Sequence, residues 1–304
     1  NMASGFSLVH SAEITDENGM GAAFLDVNDD GYLDVFVTGI FSSDPDQAPG
    51  GTRKSGNRLY LNPGDGSLDL IDATAGSGIR DGNWGWSACA IDFDLTGRES
   101  ILHSTGWGHL YPDDGFENGG LEIGFFDQFL SQPPRLFSRN VLPLSGFSEV
   151  AVLAGINLPG EGRGVVCADF NRDGAVDVLI INNGGRAHYY QNNVRSLRPD
   201  HGFLTIRLRG PGQNWEAIGA RVTVAQPGGR SQLRELGGSN YLAANPVEAQ
   251  FGFGTVSEGT RVDVRIEWPP IQLGGEIYRD ISELSNIPVN RILDIVHPEC
   301  AVNC

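Results

Sequence analysis

Gly19-Met-Gly-Ala-Ala-Phe-Leu-Asp26-Val-Asn28-Asp-Asp30-Gly31-Tyr32-Leu-Asp34-Val-Phe-Val37 is the stretch that decides the fold. Two short apolar runs flank a turn made of Asp, Asn and Gly, which reads as a strand, a tight connection and a second strand. The pattern returns as Gly162-Arg-Gly-Val-Val-Cys-Ala-Asp169-Phe-Asn171-Arg-Asp173-Gly174-Ala175-Val-Asp177-Val-Leu-Ile-Ile. A worn copy lies between them: Gly85-Trp-Ser-Ala-Cys-Ala-Ile-Asp92-Phe-Asp94-Leu-Thr96-Gly97-Arg-Glu99-Ser100-Ile-Leu. In each copy a Gly stands seven residues before the first Asp, and those aspartates are 66 and then 77 residues apart. A period of this length marks a repeat architecture.

The flanks repeat as well. Phe6-Ser-Leu-Val-His, Leu68-Asp-Leu-Ile-Asp and Phe147-Ser-Glu-Val-Ala precede the three copies. Asn57-Arg-Leu-Tyr-Leu-Asn62, Pro134-Arg-Leu-Phe-Ser-Arg-Asn140 and Ala187-His-Tyr-Tyr-Gln-Asn192 follow them. Each unit therefore carries about four short strands, the content of one propeller blade. A β-sandwich with similar turns is the alternative.

The spacing Asp-x-Asn-x-Asp-Gly-x-x-Asp suits a hard cation. Oxygens at positions one, three and five point into one concavity, Gly at six permits the turn, a carbonyl at seven contributes and position nine closes the cage. The expected ligands are Asp26, Asn28, Asp30, the carbonyl of Tyr32 and Asp34 in the first loop. Those of the third are Asp169, Asn171, Asp173, the carbonyl of Ala175 and Asp177. All-oxygen ligation favours calcium over zinc or copper. Position twelve, where an EF-hand places Glu, is Val37 or Ile180, and the flanks are strand-like. The middle loop keeps Asp92 and Asp94 but has Thr96 and Ser100 at positions five and nine, a degenerate and weaker site. An Asx-rich turn without an ion is the competing explanation.

These units resemble the FG-GAP (VCBS) repeats of integrin-type and cartilage-acidic-protein-type β-propellers, a resemblance that implies calcium in such loops. Five blocks in the C-terminal third resemble, in order, the ASPIC/UnbV module that follows those repeats in the cartilage acidic protein family. They are Asn214–Val224, Gln232–Leu242, Gln250–Gly254, Val262–Pro269 and Ile287–Ile295. Read on their own, Ala220-Arg-Val-Thr-Val and Val262-Asp-Val-Arg-Ile-Glu-Trp alternate as half-buried antiparallel strands. On that reading Arg221, Arg234 and Glu235 lie on a solvated strand face.

The expected fold is all-β: a short, incomplete propeller-like arc of about three four-stranded FG-GAP blades plus a C-terminal antiparallel β module. The expected division is residues 1–203 for the repeats, 204–296 for the module and 297–304 for a Cys-containing tail. An open arc leaves strand edges unpaired, so either the module caps an edge or copies complete one another in a ring or filament.

Composition narrows the function. Thirty-eight acids against 21 bases give a net charge of −17, which repels nucleic acid and attracts cations. No run of 18 apolar residues is present. Cys89, Cys167, Cys300 and Cys304 allow three pairings and point to an oxidising, extracellular compartment. No nucleophile elbow, zinc-protease helix or phosphate loop occurs. The first reading is a secreted calcium-binding structural or adhesion-type protein that binds itself, another extracellular protein or a glycan. The second is an enzyme or carbohydrate-binding protein that uses residues 104–120, with His103, Trp107 and His109 as candidate ligand residues.

Overall fold

The computed structural model describes residues 18–42, 55–67, 69–108, 127–130, 132–140, 146–273 and 276–299. The first sheet contains β1 (Ala22–Leu25), β2 (Asp34–Val37), β3 (Arg58–Leu61) and β4 (Ile71–Asp72), ordered as in the chain. The second repeats this meander with β5 (Gly85–Ile91), β6 (Ser100–Thr105), β7 (Arg135–Arg139) and β8 (Phe147–Glu149). The third holds β9 (Gly162–Ala168), β10 (Asp177–Asn182) and β11 (His188–Tyr190). A single turn of helix, α1 (Val194–Leu197), then leads into the C-terminal region.

That region provides β12 (His201–Arg209), β13 (Arg221–Ala225), β14 (Ser231–Glu235), β15 (Ser239–Asn240), β16 (Ala243–Ala244), β17 (Ala249–Thr255) and β18 (Arg261–Glu267). It continues with β19 (Ile271–Leu273), β20 (Glu276–Tyr278), β21 (Ile281–Pro288) and β22 (Arg291–Val296). One sheet has the order β17-β12-β22, with β12 and β22 parallel, and another has β14-β13-β18-β21. The strand β12 already begins at His201, slightly before the expected start of the module.

The all-β propeller arrangement is as expected, but the blade count is not. Among the described residues five sheets of three or four strands are present where the repeats alone lead to about three. The additional two come from residues 201–296, whose strands carry no Asp loop and so give no repeat signal. They enclose one core of their own, with Leu204, Ile206, Val222, Val224, Phe251 and Val264 buried between them.

The repeat sheets pack face to face. Leu25, Phe36, Leu59, Ile101 and Phe137 fill the space between the first two, and Leu102, Leu136, Val165, Val178 and Ile180 that between the second and third. Each such side chain contributes about 1.5–3 kcal/mol on burial. Neighbouring residues Ile101 and Leu102 feed opposite cores, so every residue of β6 is buried. Cys89 on β5 and Cys167 on β9 form a disulfide across the second and third sheets, with Cα atoms 6.7 Å apart. Cys300 and Cys304 lie outside the described residues.

Innermost strands of such sheets turn an unpaired edge toward the axis. Here the β15–β16 hairpin lies against β5 and β9. The Asn240 side-chain amide donates to the carbonyls of Ala88 (3.2 Å) and Val165 (3.1 Å), and Cys167 N–H donates to Asn245 Oδ1 (2.9 Å). A Cβ on Gly164 would stand 2.7 Å from the Leu242 carbonyl, so the approach of the hairpin requires glycine there. The module thus caps inner edges of the arc.

Candidate metal loops

Each Asp loop closes the hairpin between the first and second strands of its sheet, in the same register. Leu25 pairs with Asp34, Ile91 with Ser100 and Ala168 with Asp177. The internal bonding is the same in all three. In the first loop Asp26 accepts from Asp30 N–H (3.1 Å) and Gly31 N–H (2.9 Å). In the second Asp92 accepts from Thr96 N–H (2.9 Å) and Gly97 N–H (2.8 Å). In the third Asp169 accepts from Asp173 N–H (3.1 Å) and Gly174 N–H (2.8 Å).

The sixth position needs glycine for its backbone: φ is 85° at Gly31, 82° at Gly97 and 95° at Gly174. The fourth position is left-handed too, at Asp29 (60°), Leu95 (57°) and Arg172 (61°), a conformation that costs a non-glycine residue free energy.

Oxygens at positions one and three converge. Asp30 N–H is shared by Asp26 Oδ1 and Asn28 Oδ1 (3.1 and 3.3 Å), and Asp173 N–H by Asp169 Oδ1 and Asn171 Oδ1 (both 3.1 Å). Asp30 and Asp173 also accept from the N–H groups of Tyr32 and Ala175 at position seven (2.9 Å each). The ninth-position carboxylates tie each loop to the rest of its sheet. Asp34 accepts from Val27 N–H and Asn62 N–H (2.8 Å each). Asp177 accepts from Phe170 N–H (3.1 Å), Asn192 N–H (2.7 Å) and the Tyr189 hydroxyl (3.0 Å).

Burial pushes the carboxyls of Asp26 and Asp169 up from their ordinary range, and that of Asp34 up to about 6. Asp30 and Asp26 act on Asp34 in the same direction. Among the described residues no group of three carboxylates, imidazoles or thiolates stands ready as a finished metal cage. The donor chemistry of loops one and three nevertheless fits a hard cation: oxygens only, three carboxylates with one amide, and desolvated negative charge at the centre.

The middle loop has the same shape with different support. Asp94 accepts from the Thr96 hydroxyl (2.7 Å) and N–H (3.2 Å). Asp92, which burial raises to about 7, also accepts from Gly252 N–H of the module (2.9 Å).

Three features escaped the sequence reading. Arg234 does not lie on a solvated face: it pairs with buried Glu99 at 3.0 Å and covers the ring of Phe251. Asp29 is held by Arg139 (2.9 Å) and by Arg230 of the module (3.2 Å). Arg172 pairs with Glu248 at 2.9 Å. No spacing rule marks these residues, because their partners are distant in sequence.

The candidate ligand stretch needs correction at His103. This residue is 0% exposed on β6, between Phe36 and Phe137 and near the Asn57 side-chain amide (3.2 Å), and burial lowers its pKa to about 4. It is a neutral core residue, not a ligand group. Trp107 stacks on Trp84 with centroids 4.5 Å apart, and Arg163 lies 4.0 Å over neighbouring Trp86. His109 lies outside the described residues. A cavity of about 430 Å³ separates the inner strands from the module, lined by Phe24, Ala88, Glu99, Arg234, Asn240 and Gln250.

Fold and loops together define an all-β repeat scaffold with Asp-rich hairpin tips. Within that class, a family model described as FG-GAP-like repeat matches residues 26–102, and one described as ASPIC and UnbV matches residues 210–302. The order of the two matches, a repeat followed by the C-terminal region, is the order read from the sequence. No match to a curated protein is found.

Proposed function

We propose that this protein is an extracellular interaction scaffold of the adhesion type, non-catalytic, whose first and third Asp loops bind calcium. The observation that carries the reading is the pair of equivalent loops in which the Asp oxygen of position one and the Asn oxygen of position three converge on one N–H group beside further carboxylates at positions five and nine. Asp26, Asn28, Asp30 and Asp34 would hold one ion, and Asp169, Asn171, Asp173 and Asp177 the other. A calcium ion would offset the repulsion among the carboxylates of positions one, five and nine. The degenerate middle loop, with Asp92, Asp94 and Thr96, is left with module contacts in its place. A buried disulfide between sheets supports an oxidising location outside the cell.

Self-association is the second part of the reading. It is favoured by the third sheet, which among the described residues ends at β11 where the other two repeat sheets carry a fourth strand. A strand from another copy would satisfy that edge. Calorimetric titration of chelator-treated protein with calcium tests the first part: two sites of about 10⁻⁴–10⁻³ M are expected, and no heat of binding at millimolar calcium refutes it. Sedimentation with calcium present tests the second, where only monomer at micromolar concentration refutes it.

A further inference from the structure

The C-terminal module grips all three Asp loops, and it does so through the fourth residue of each. At the first loop, Asp29 is clamped between Arg139 of β7 and Arg230 of the module. At the second, Leu95 is 0% exposed against Ala175, Val194 and Phe203, and its carbonyl accepts from Gly254 N–H (2.7 Å). At the third, Arg172 pairs with Glu248, while the Gly174 carbonyl accepts from the Gln250 side-chain amide (2.5 Å). These residues are the left-handed ones, so a module contact stabilises a backbone shape that is costly by itself. The same shape brings the oxygens of positions one and three onto one N–H group.

The middle loop separates the two contributions. It lacks acids at positions five and nine, yet its backbone matches the other two. Its additional hold comes from the module: Gly252 N–H on Asp92, the His201 ring nitrogen on the Asp94 carbonyl (2.8 Å) and Arg230 on the Thr96 carbonyl (3.3 Å). Module contacts here do what an ion would do at loops one and three.

We infer that ion loading of the first and third loops and docking of the ASPIC/UnbV region are one coupled equilibrium, with Asp29 and Arg172 as the coupling residues. The inference rests on the calcium reading above. Two ligands that favour the same strained conformation reinforce one another, and the reinforcement is reciprocal. Calcium therefore tightens the module on the arc, and loss of a module contact weakens calcium.

The test is a calcium titration of the full chain, read by calorimetry and by hydrogen exchange of residues 228–235 and 248–256. Expected is slower exchange in both segments as calcium rises. Arg230→Ala and Glu248→Ala should each weaken calcium binding about fivefold, near the lower end of ordinary coupling. Arg207→Ala, which removes an exposed pair with Asp294 inside the module, should change neither readout. Combining Arg172→Glu with Glu248→Arg should restore affinity, which separates coupling from a folding defect. Calcium binding with unaltered exchange in both segments overturns the coupling and leaves the calcium sites standing. Absence of calcium binding overturns both.

Discussion

Replacing Cys89 and Cys167 together by Ala removes the covalent tie between the second and third sheets. The bridge spans 78 residues of sequence. Closing a loop of that length in the unfolded chain removes entropy of about 15 cal/mol/K on the chain-entropy account, or about 4.5 kcal/mol at 25 °C. Folded domains retain only about 5–15 kcal/mol in total, so the change is a large share of the stability. Both sulfurs are buried beside Ile91, Leu102 and Val165, where Ala leaves a small void that adds to the loss. Urea denaturation at fixed calcium should show a lower midpoint with a similar or slightly larger slope. A reducing agent added to the wild-type protein should reproduce the loss, and thiol titration of the denatured, unreduced chain should find no more than two free thiols. Four free thiols, or a double variant within about 1 kcal/mol of wild type, would refute the reasoning.

Three further outcomes are expected. Asp30→Ala and Asp173→Ala should each reduce the rise in melting temperature produced by calcium, whereas Thr96→Ala should leave it intact; equal effects at all three positions in a thermal scan would contradict the ranking of the loops. Leu95→Ala, at a fully buried site against Phe203 and Val194, should cost about 2–5 kcal/mol in urea unfolding while calcium stoichiometry stays unchanged. His103 is held neutral, with a pKa of about 4 against an ordinary 6.5, so its contribution is complete above pH 6.5 and is lost as pH falls toward 4. The amount is about 3 kcal/mol. His103→Gln should remove that acid-sensitive share, and parallel stability curves for variant and wild type between pH 4 and 6.5 would exclude it.

Much of this architecture is legible in the sequence because one hairpin recurs. The gap from Asp26 to Asp34 equals that from Asp169 to Asp177, and in both cases the structure closes the same strand register. The alternation in Val262–Trp268 likewise becomes β18, with Val262, Val264 and Ile266 facing the core. Where the reading fails, the cause is tertiary. Period-two alternation disappears in β6 because cores lie on both of its faces, so His103 carries no sign of its burial. Position four of the loops holds Asp, Leu and Arg, three residue types that share a φ value and a facing module rather than a chemistry. Arg234 sits among polar residues of β14, and its burial follows from Glu99, far back in the chain, which pairs with it at 3.0 Å. Cysteine pairing is undetermined by counting, since proximity of Cys89 to Cys167 depends on how adjacent sheets stack.

The Asn240 side chain spans two sheets with one nitrogen, touching the Ala88 and Val165 carbonyls at 3.2 and 3.1 Å. Such an amide works as a gauge block: it fits only if the wedge between those sheets has one particular opening. Propellers of different blade number set that opening differently. A module grafted onto a wider or narrower ring would lose one of the two bonds, so the number of blades and the sequence of the β15–β16 tip are constrained to change together.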